Sequence, residues 1–389
     1  MNFSRRTSWN LRPNALASRI ESLRAQGAQL IDLTDSNPTR CELAYPREAI
    51  ESAIRGAALL TYQPEPNGLL AARQAISAHL SRKEERVDPE HLIICSGTSD
   101  AYGYLFKLLC NPGDSVLVPN PSYPLFDFLT GLEGIEGRPY ALRFEGGWCL
   151  QADALAEAAD ATTRAVLVVS PGNPTGAFLK RSELEAVETL CADRSWALIV
   201  DEVFSDYGFG DDADRVATVA GRASPALTFA LSGFSKLAGL PQLKVSWLSA
   251  SGPAQLRDEA LQRLEIVADT YLSGSPILQS AVAQLLPLAV RIQSQIRNRV
   301  AENRAALLRT RAADARWNVL PSEGGWCAVI RIPDERSEET VCLQLLERGV
   351  IVHPGYFFDF PSGSHLIVSL ILPRDAFARG IEALVSVLG

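Results

Sequence analysis

At 389 residues, 47% of them hydrophobic, the chain is too long for one core, because single cores stop growing at about 250–300 residues; one large α/β domain with a smaller companion is expected. A formal net charge of −8, spread over both signs without long runs, argues against a nucleic-acid stripe or an anionic-membrane surface and points to small-molecule partners. The seven cysteines form no C-x-x-C pair and suit a reducing cytosol, and the twin arginine of "MNFSRRTSWNLRP" is followed by no apolar stretch of signal-peptide length; neither an export signal nor a membrane span is read.

In chain order, short apolar runs alternate with longer helical periods, the pattern of a mostly parallel sheet covered by helices. The predicted strands are "HLIICSG" (91–97), "SVLVPN" (115–120), "AVLVVSPG" (165–172), "WALIVDE" (196–202), "ALTFALSG" (226–233) and "KVSWLSA" (244–250). Between the first two, "TSDAYGYLFKLLCNPGD" predicts a helix that starts after Gly97 and stops at Asn-Pro-Gly. From about 251 the chain turns strongly helical, through "PAQLRDEALQRLEIVADTYL" and a long segment near 276–315. A smaller α+β tail follows, with "GGWCAVIRI", "GVIVHPG" and "HLIVSLIL". The expected division is an arm and part of the small domain at 1–45, a large domain at 46–287 and a small C-terminal domain at 288–389.

Several strands end in glycine-rich or polar residues, where an open α/β sheet binds its ligand. Each such end has a plain reading and a functional one. "SGTSD" (96–100) is an ordinary strand-to-helix turn, or it offers the backbone N–H groups of Gly97, Thr98 and Ser99 to a phosphate at a helix start. "PGNPTG" (171–176) is a turn cluster or a binding loop; "VDEV" (200–203) is a solvated acidic pair or a placed carboxylate. Lys236, in "LSGFSKLAGLPQLK", is a surface charge or a buried amine kept for chemistry.

The joint occurrence, in this order, of the phosphate-type turn, "NPSYP", "SPGNPTG", "IVDE" and "GFSK" followed by "GLPQLK" is more specific than any one motif. From about residue 30 to the C-terminus the chain resembles the class I/II aminotransferases, pyridoxal-phosphate enzymes of fold type I. That resemblance implies a three-layer, mostly parallel large-domain sheet with a smaller α+β domain, and pyridoxal 5'-phosphate as cofactor. It implies that Lys236 forms the Schiff base with the cofactor, a task for a desolvated lysine, and that Asp201 keeps the pyridine nitrogen protonated. Asn173 would hydrogen-bond the phenolic oxygen, and Tyr123 would stack on the ring. Gly97, Thr98 and Ser99 would hold the phosphate, with Ser232, Ser235 and Lys244 beside them. Tyr62 matches the tyrosine that reaches the phosphate of the other subunit, which implies a homodimer with a shared active site.

Departures from the family pattern bear on the substrate. Phe204 stands where a tyrosine usually donates to the cofactor, Gly233 where a serine often precedes the lysine, and Lys244 where an arginine is usual. Ile367 occupies the place of the arginine that clamps the substrate carboxylate, two residues before Ser369. Arg40, with Asn37 and Asn173 on the substrate side, is the first candidate to take over that anion, and its plain reading is an exposed turn arginine. The leading reading is an aminotransferase that moves an amino group from an amino acid or amine to a keto or aldehyde acceptor. A lyase, cyclase or decarboxylase using the same cofactor is the alternative. The effector domain of a transcription factor is set aside, because the first 45 residues hold no basic recognition helix. His79, His91, His353 and His365 show no metal-ligand spacing. His353 and Trp326 fall near the expected substrate mouth or in the core and rim, and Trp9, Asn10 and Arg12 form an arm over the active site or over the partner subunit.

Overall fold

The computed structural model describes residues 2–56, 60, 62, 64–83 and 86–389. Seven strands form the main sheet: β1 (Leu92–Cys95), β2 (Ser115–Asn120), β3 (Glu136–Ala141), β4 (Thr163–Val169), β5 (Ala197–Asp201), β6 (Thr228–Gly233) and β7 (Ser246–Ser251). They lie in the order β1-β7-β6-β5-β4-β2-β3. All neighbours are parallel except β7, which runs antiparallel to both β1 and β6.

The apolar runs exist because helices cover both faces of this sheet. Along β5, Leu198 and Val200 belong to the core on one face, and Ala197 and Ile199 to the core on the other. The second core is closed by α1 (Thr98–Leu109), α2 (Phe126–Glu133) and α4 (Ala254–Tyr271), and the first by α3 (Arg181–Arg194) and α5 (Pro276–Thr310). Strand β3 is absent from the sequence reading: "EGRPYA" is an edge strand with only Tyr140 fully buried, so it shows no apolar run.

Helix α5 is 35 residues long and buries Val282, Leu285, Ala289, Ile292, Ile296, Val300 and Leu307 along one stripe. The division expected between 287 and 288 falls inside this unbroken helix, which carries Pro287 within it, so a continuous helix and not a linker occupies that place. Asn303 on α5 donates to the carbonyls of Leu370 and Leu372, each at 2.9 Å, which ties the helix to the C-terminal unit. That unit is an antiparallel sheet of β8 (Asn318–Val319), β9 (Cys327–Ile332), β10 (His353–Pro354) and β11 (Ser364–Ser369), in the order β8-β9-β11-β10. The N-terminal residues Ile31 and Asp32 pair in parallel with Val350 and Ile351, joining the first segment of the chain to this smaller unit. Among the described residues no single helix is long and apolar enough to cross a membrane.

Candidate active site

The C-terminal ends of β1, β2, β4, β5 and β6 converge on one cleft of about 400 Å³, whose far wall comes from β9, β10 and β11. Of the residues singled out from the sequence, Thr98, Tyr123, Asn173, Asp201 and Lys236 line it, together with Trp326, His353, Ile367 and Ser369.

Asp201 ends β5, and strand parity sets its direction. It follows Ala197 and Ile199 on the face covered by α1, where Tyr102 is buried. The Tyr102 hydroxyl donates to Asp201 Oδ2 at 2.7 Å, and the Val203 N–H donates to Oδ1 at 3.0 Å. Burial nevertheless raises the Asp201 carboxyl above its ordinary range, against the pull of those two bonds and of Lys236.

Lys236 sits in the single helical turn Phe234–Leu237 that follows β6. Gly233 permits that turn to lie against β7: a Cβ there would come 2.2 Å from Ser246 Oγ and 2.9 Å from Ser246 Cα. The Lys236 carbonyl accepts a 2.6 Å bond from the Tyr207 hydroxyl, which fixes the backbone from which the amine projects. The amine lies 5.1 Å from the Trp326 ring centroid and 5.4 Å from that of Phe204, and these two rings meet edge to face. Both ring faces favour the charged amine, as does Asp201, yet burial wins and lowers Lys236 below its ordinary value.

Gly97 caps α1, and Thr98 and Ser99 open its first turn, where backbone N–H groups have no intrahelical acceptor. A Cβ on Gly97 would stand 3.5 Å from Lys244 Nζ, so this lysine reaches the helix start. Lys244 itself adopts a left-handed conformation with φ 51°, and Ser232 and Ser235 flank Gly233 and Lys236. Asn173 sits in a loop with cis peptide bonds at Ser170–Pro171 and Asn173–Pro174, and its Oδ1 lies 3.7 Å from Cys327 Sγ.

Of the other expected site residues, Asn37, Arg40 and Tyr62 are not among those lining this cleft. Asn37 turns its Oδ1 back to accept from Thr39 N and Thr39 Oγ1, at 3.1 and 2.7 Å, capping the turn Pro38–Arg40. Arg40 projects from that turn with 74% of its side chain exposed, 3.8 Å from Asp35. Tyr62 is 72% exposed and lines a separate shallow hollow with Tyr104, Leu272 and Gln279.

The sequence reading missed Tyr102, Tyr207, Cys327 and Ser36. Tyr102 was within reach of parity and helical spacing, since it follows Thr98 by one helical turn. Ser36 meets Ser369 at 3.2 Å across more than three hundred residues of chain, a contact that no local pattern reveals. The Trp9 ring meets Phe128 of α2 with centroids 5.7 Å apart, while Asn10 folds locally, accepting from the Arg12 N–H at 3.1 Å.

The strand ends of this open α/β sheet thus bring together a buried lysine, a buried carboxylate and a helix start with free backbone N–H groups. The family model for aminotransferase class I and II matches residues 29–383. Arginine–pyruvate transaminase AruH of Pseudomonas aeruginosa is 30% identical over 373 residues, covering 95% of this chain and 91% of the relative. An alanine aminotransferase of Mycobacterium tuberculosis is 26% identical, covering 95% and 87%. Among solved structures, a single mutant of Thermus thermophilus aspartate aminotransferase superposes with a TM-score of 0.86 over all of both chains at 23% identity, a likeness of fold. The chain belongs to the class I and II aminotransferases, enzymes of fold type I whose members use pyridoxal phosphate.

Proposed function

We propose that the cleft performs transamination through Lys236, moving an amino group from a donor to a keto or aldehyde acceptor. The observation that carries this reading is a buried amine, depressed below the lysine range, in one cleft with a carboxylate that two hydrogen bonds hold in place.

The residues present fit pyridoxal phosphate. The start of the 12-residue helix α1 offers free N–H groups and the positive end of its dipole, and Lys244 adds a cation where Gly97 leaves room. When bound, the cofactor supplies an aldehyde for the lysine and a ring that takes up the electron pair of the substrate Cα–H bond. Asp201 would hold a proton on the ring nitrogen, and Asn173 would donate to the ring oxygen. Tyr123, half-exposed at the mouth, would cover the ring face. With the cofactor bound, the Lys236 amine would act as the base that holds and moves the proton of the donor carbon. Burial keeps that amine unprotonated at a lower pH than a surface lysine, as a base requires.

The protein is read as a homodimer in the cytosol. Support for the dimer comes from exposed Leu60, Tyr62, Leu70, Ile266, Tyr271 and Leu272, and support for the compartment from the seven free cysteines. A lyase, cyclase or decarboxylase is favoured by one feature, the Phe204 ring beside Lys236, which offers the cofactor no hydroxyl.

The test is the absorbance of the purified protein loaded with cofactor, with Lys236→Ala beside it. A covalent-cofactor band that is present in wild type, absent in the variant and bleached by an amino donor supports transamination. A band unchanged in Lys236→Ala refutes the role of Lys236, and a band that donors leave intact gives way to the lyase class.

A further inference from the structure

We infer that Tyr102 is a positioning residue of this site: its hydroxyl holds the Asp201 carboxyl turned and ionised, so that the proton between carboxyl and cofactor stays on the ring nitrogen. The inference rests on the reading of Asp201 as the partner of that nitrogen and names what sets its state.

The placement follows from one helix. α1 opens at Thr98 beside the strand ends, where its N–H groups have no intrahelical acceptor, and Tyr102 stands four residues on, about 6 Å along the axis. Residues four apart share a helix face, so the face that starts at the proposed phosphate cradle also carries the phenol. The Tyr102 hydroxyl and Asp201 Oδ2 meet at 2.7 Å across ninety-nine residues of sequence, and both residues line the cleft. One rigid element thus fixes the anion cradle and the carboxyl relative to each other.

Each oxygen of the carboxyl has a donor. Tyr102 serves Oδ2, and the Val203 N–H serves Oδ1 at 3.0 Å. The carboxyl cannot turn without losing one of these bonds, so its remaining lone pairs keep a fixed direction. The phenol cannot follow another acceptor, because its ring is 2% exposed and meets Phe126 edge-on at 5.6 Å and Phe106 at 6.0 Å. Packing alone would be served by phenylalanine, as at those two neighbours. A buried hydroxyl needs an acceptor, and the one it has is Asp201.

The same bond biases the proton. Burial pushes the Asp201 carboxyl up, toward its neutral form, while Tyr102, Val203 and the Lys236 charge pull it back. Burial also pushes the Tyr102 hydroxyl well above its ordinary range, so it stays protonated and donating. A hydrogen bond to a charged acceptor is stronger than one to a neutral acceptor, so the phenol lowers the proton affinity of Asp201 relative to that of the ring nitrogen. The protonated ring is the form that draws electrons from the donor carbon.

Two cofactors that differ at one ring atom test the proposal: pyridoxal 5'-phosphate and its deaza analogue, in which a ring C–H replaces the nitrogen. Both carry the same aldehyde and phosphate, so the contributions of Lys236 and the helix start cancel in the ratio of their dissociation constants. Titrated by absorbance into cofactor-free wild type and Tyr102→Phe, the preference for the nitrogen-bearing ring should fall at least about threefold in the variant. An unchanged preference, with both cofactors weakened equally, shows a packing role and overturns the inference. With pyridoxal 5'-phosphate isotopically labelled at the ring nitrogen, the bound cofactor should give the protonated chemical shift in wild type and move toward the unprotonated one in Tyr102→Phe; identical shifts also overturn it. Asp201→Ala separates this inference from the reading beneath it. Loss of the preference in Asp201→Ala with its retention in Tyr102→Phe refutes the role of Tyr102 alone. A preference that survives in Asp201→Ala refutes the pairing of Asp201 with the ring, and the inference with it. In the Asp201→Ala background, Tyr102→Phe should change the preference no further, since the phenol acts through Asp201.

Discussion

Replacing Tyr102 by Phe removes one atom from the site and keeps nearly all the packing, because the ring still meets Phe126 edge-on at 5.6 Å and Phe106 at 6.0 Å. What is lost is the 2.7 Å bond to Asp201 Oδ2, leaving the Val203 N–H as the remaining donor named to that carboxyl. A hydrogen bond to an ionised, buried acceptor contributes about 1.5–3 kcal/mol, and a neutral one about 1 kcal/mol. Burial already raises the Asp201 carboxyl, so the native state takes up a proton at a pH where the unfolded chain has lost it. Stability from this group is therefore greatest in acid and falls as pH rises from the ordinary carboxyl value through the raised native one. Tyr102→Phe raises the native value further and extends that fall to higher pH. The variant should lose about 1.5–3 kcal/mol at a pH above the raised native carboxyl value and clearly less at one below it, where the carboxyl is neutral. Equilibrium urea unfolding of the cofactor-free protein at the two pH values measures both losses. Equal losses would refute the argument that the bond is charge-assisted, and a loss below about 0.5 kcal/mol at the higher pH would show that it is not made.

Gly97→Ala and Gly233→Ala separate cofactor space from folding space. At Gly97, φ is −163° and a Cβ meets Lys244 Nζ at an ordinary 3.5 Å, so unfolding in urea should change by no more than about 0.5 kcal/mol. Cofactor affinity, followed by absorbance on titration, should weaken at least about tenfold, because the added carbon stands where the phosphate would lie. At Gly233 the Cβ would overlap Ser246 Oγ and backbone, so a loss of about 1–3 kcal/mol is expected in the same unfolding assay. The rate at which Lys236 captures the cofactor aldehyde should rise with pH and level off below the ordinary lysine value of 10.5, since only the unprotonated amine reacts. Asp201→Asn removes a charge that favours the ammonium form and should move that plateau to lower pH; a shift upward would contradict the placement of Asp201 beside the amine.

The parts of the fold that were legible are those in which local chemistry and burial agree. The runs in β1, β2, β4, β5 and β6 are apolar on both faces because each faces a core on both sides, and such runs are visible without knowing what covers them. β3 failed for the converse reason: it is an edge strand, its pattern is mixed, and its Gly137 and Pro139 imitate a loop. The division expected at 287 falls within α5, because a long amphipathic helix can pass from one unit to another without any change in composition. α5 carries the same buried stripe from Val282 to Leu307, and Pro287 is accommodated within it.

The candidate site divides in the same physical terms. Asp201, Asn173 and Lys236, named through the resemblance, line one cleft because an open sheet gathers its strand ends into one place. Arg40 could not be judged in this way, because its position depends on a short capped turn, and the turn directs the guanidinium to Asp35 at the surface. Ile367 shows how the two sources of information combine. Sequence identifies the side chain as aliphatic, and the alternation along β11 decides what that means: Leu366 and Val368 enter the main core, while Ile367 and Ser369 face the cleft. Strand parity thus turns one aliphatic residue among many into part of the cleft wall. A charge introduced at Ile367 should therefore change substrate choice more than one placed at the exposed Arg40, whose side chain does not line that wall.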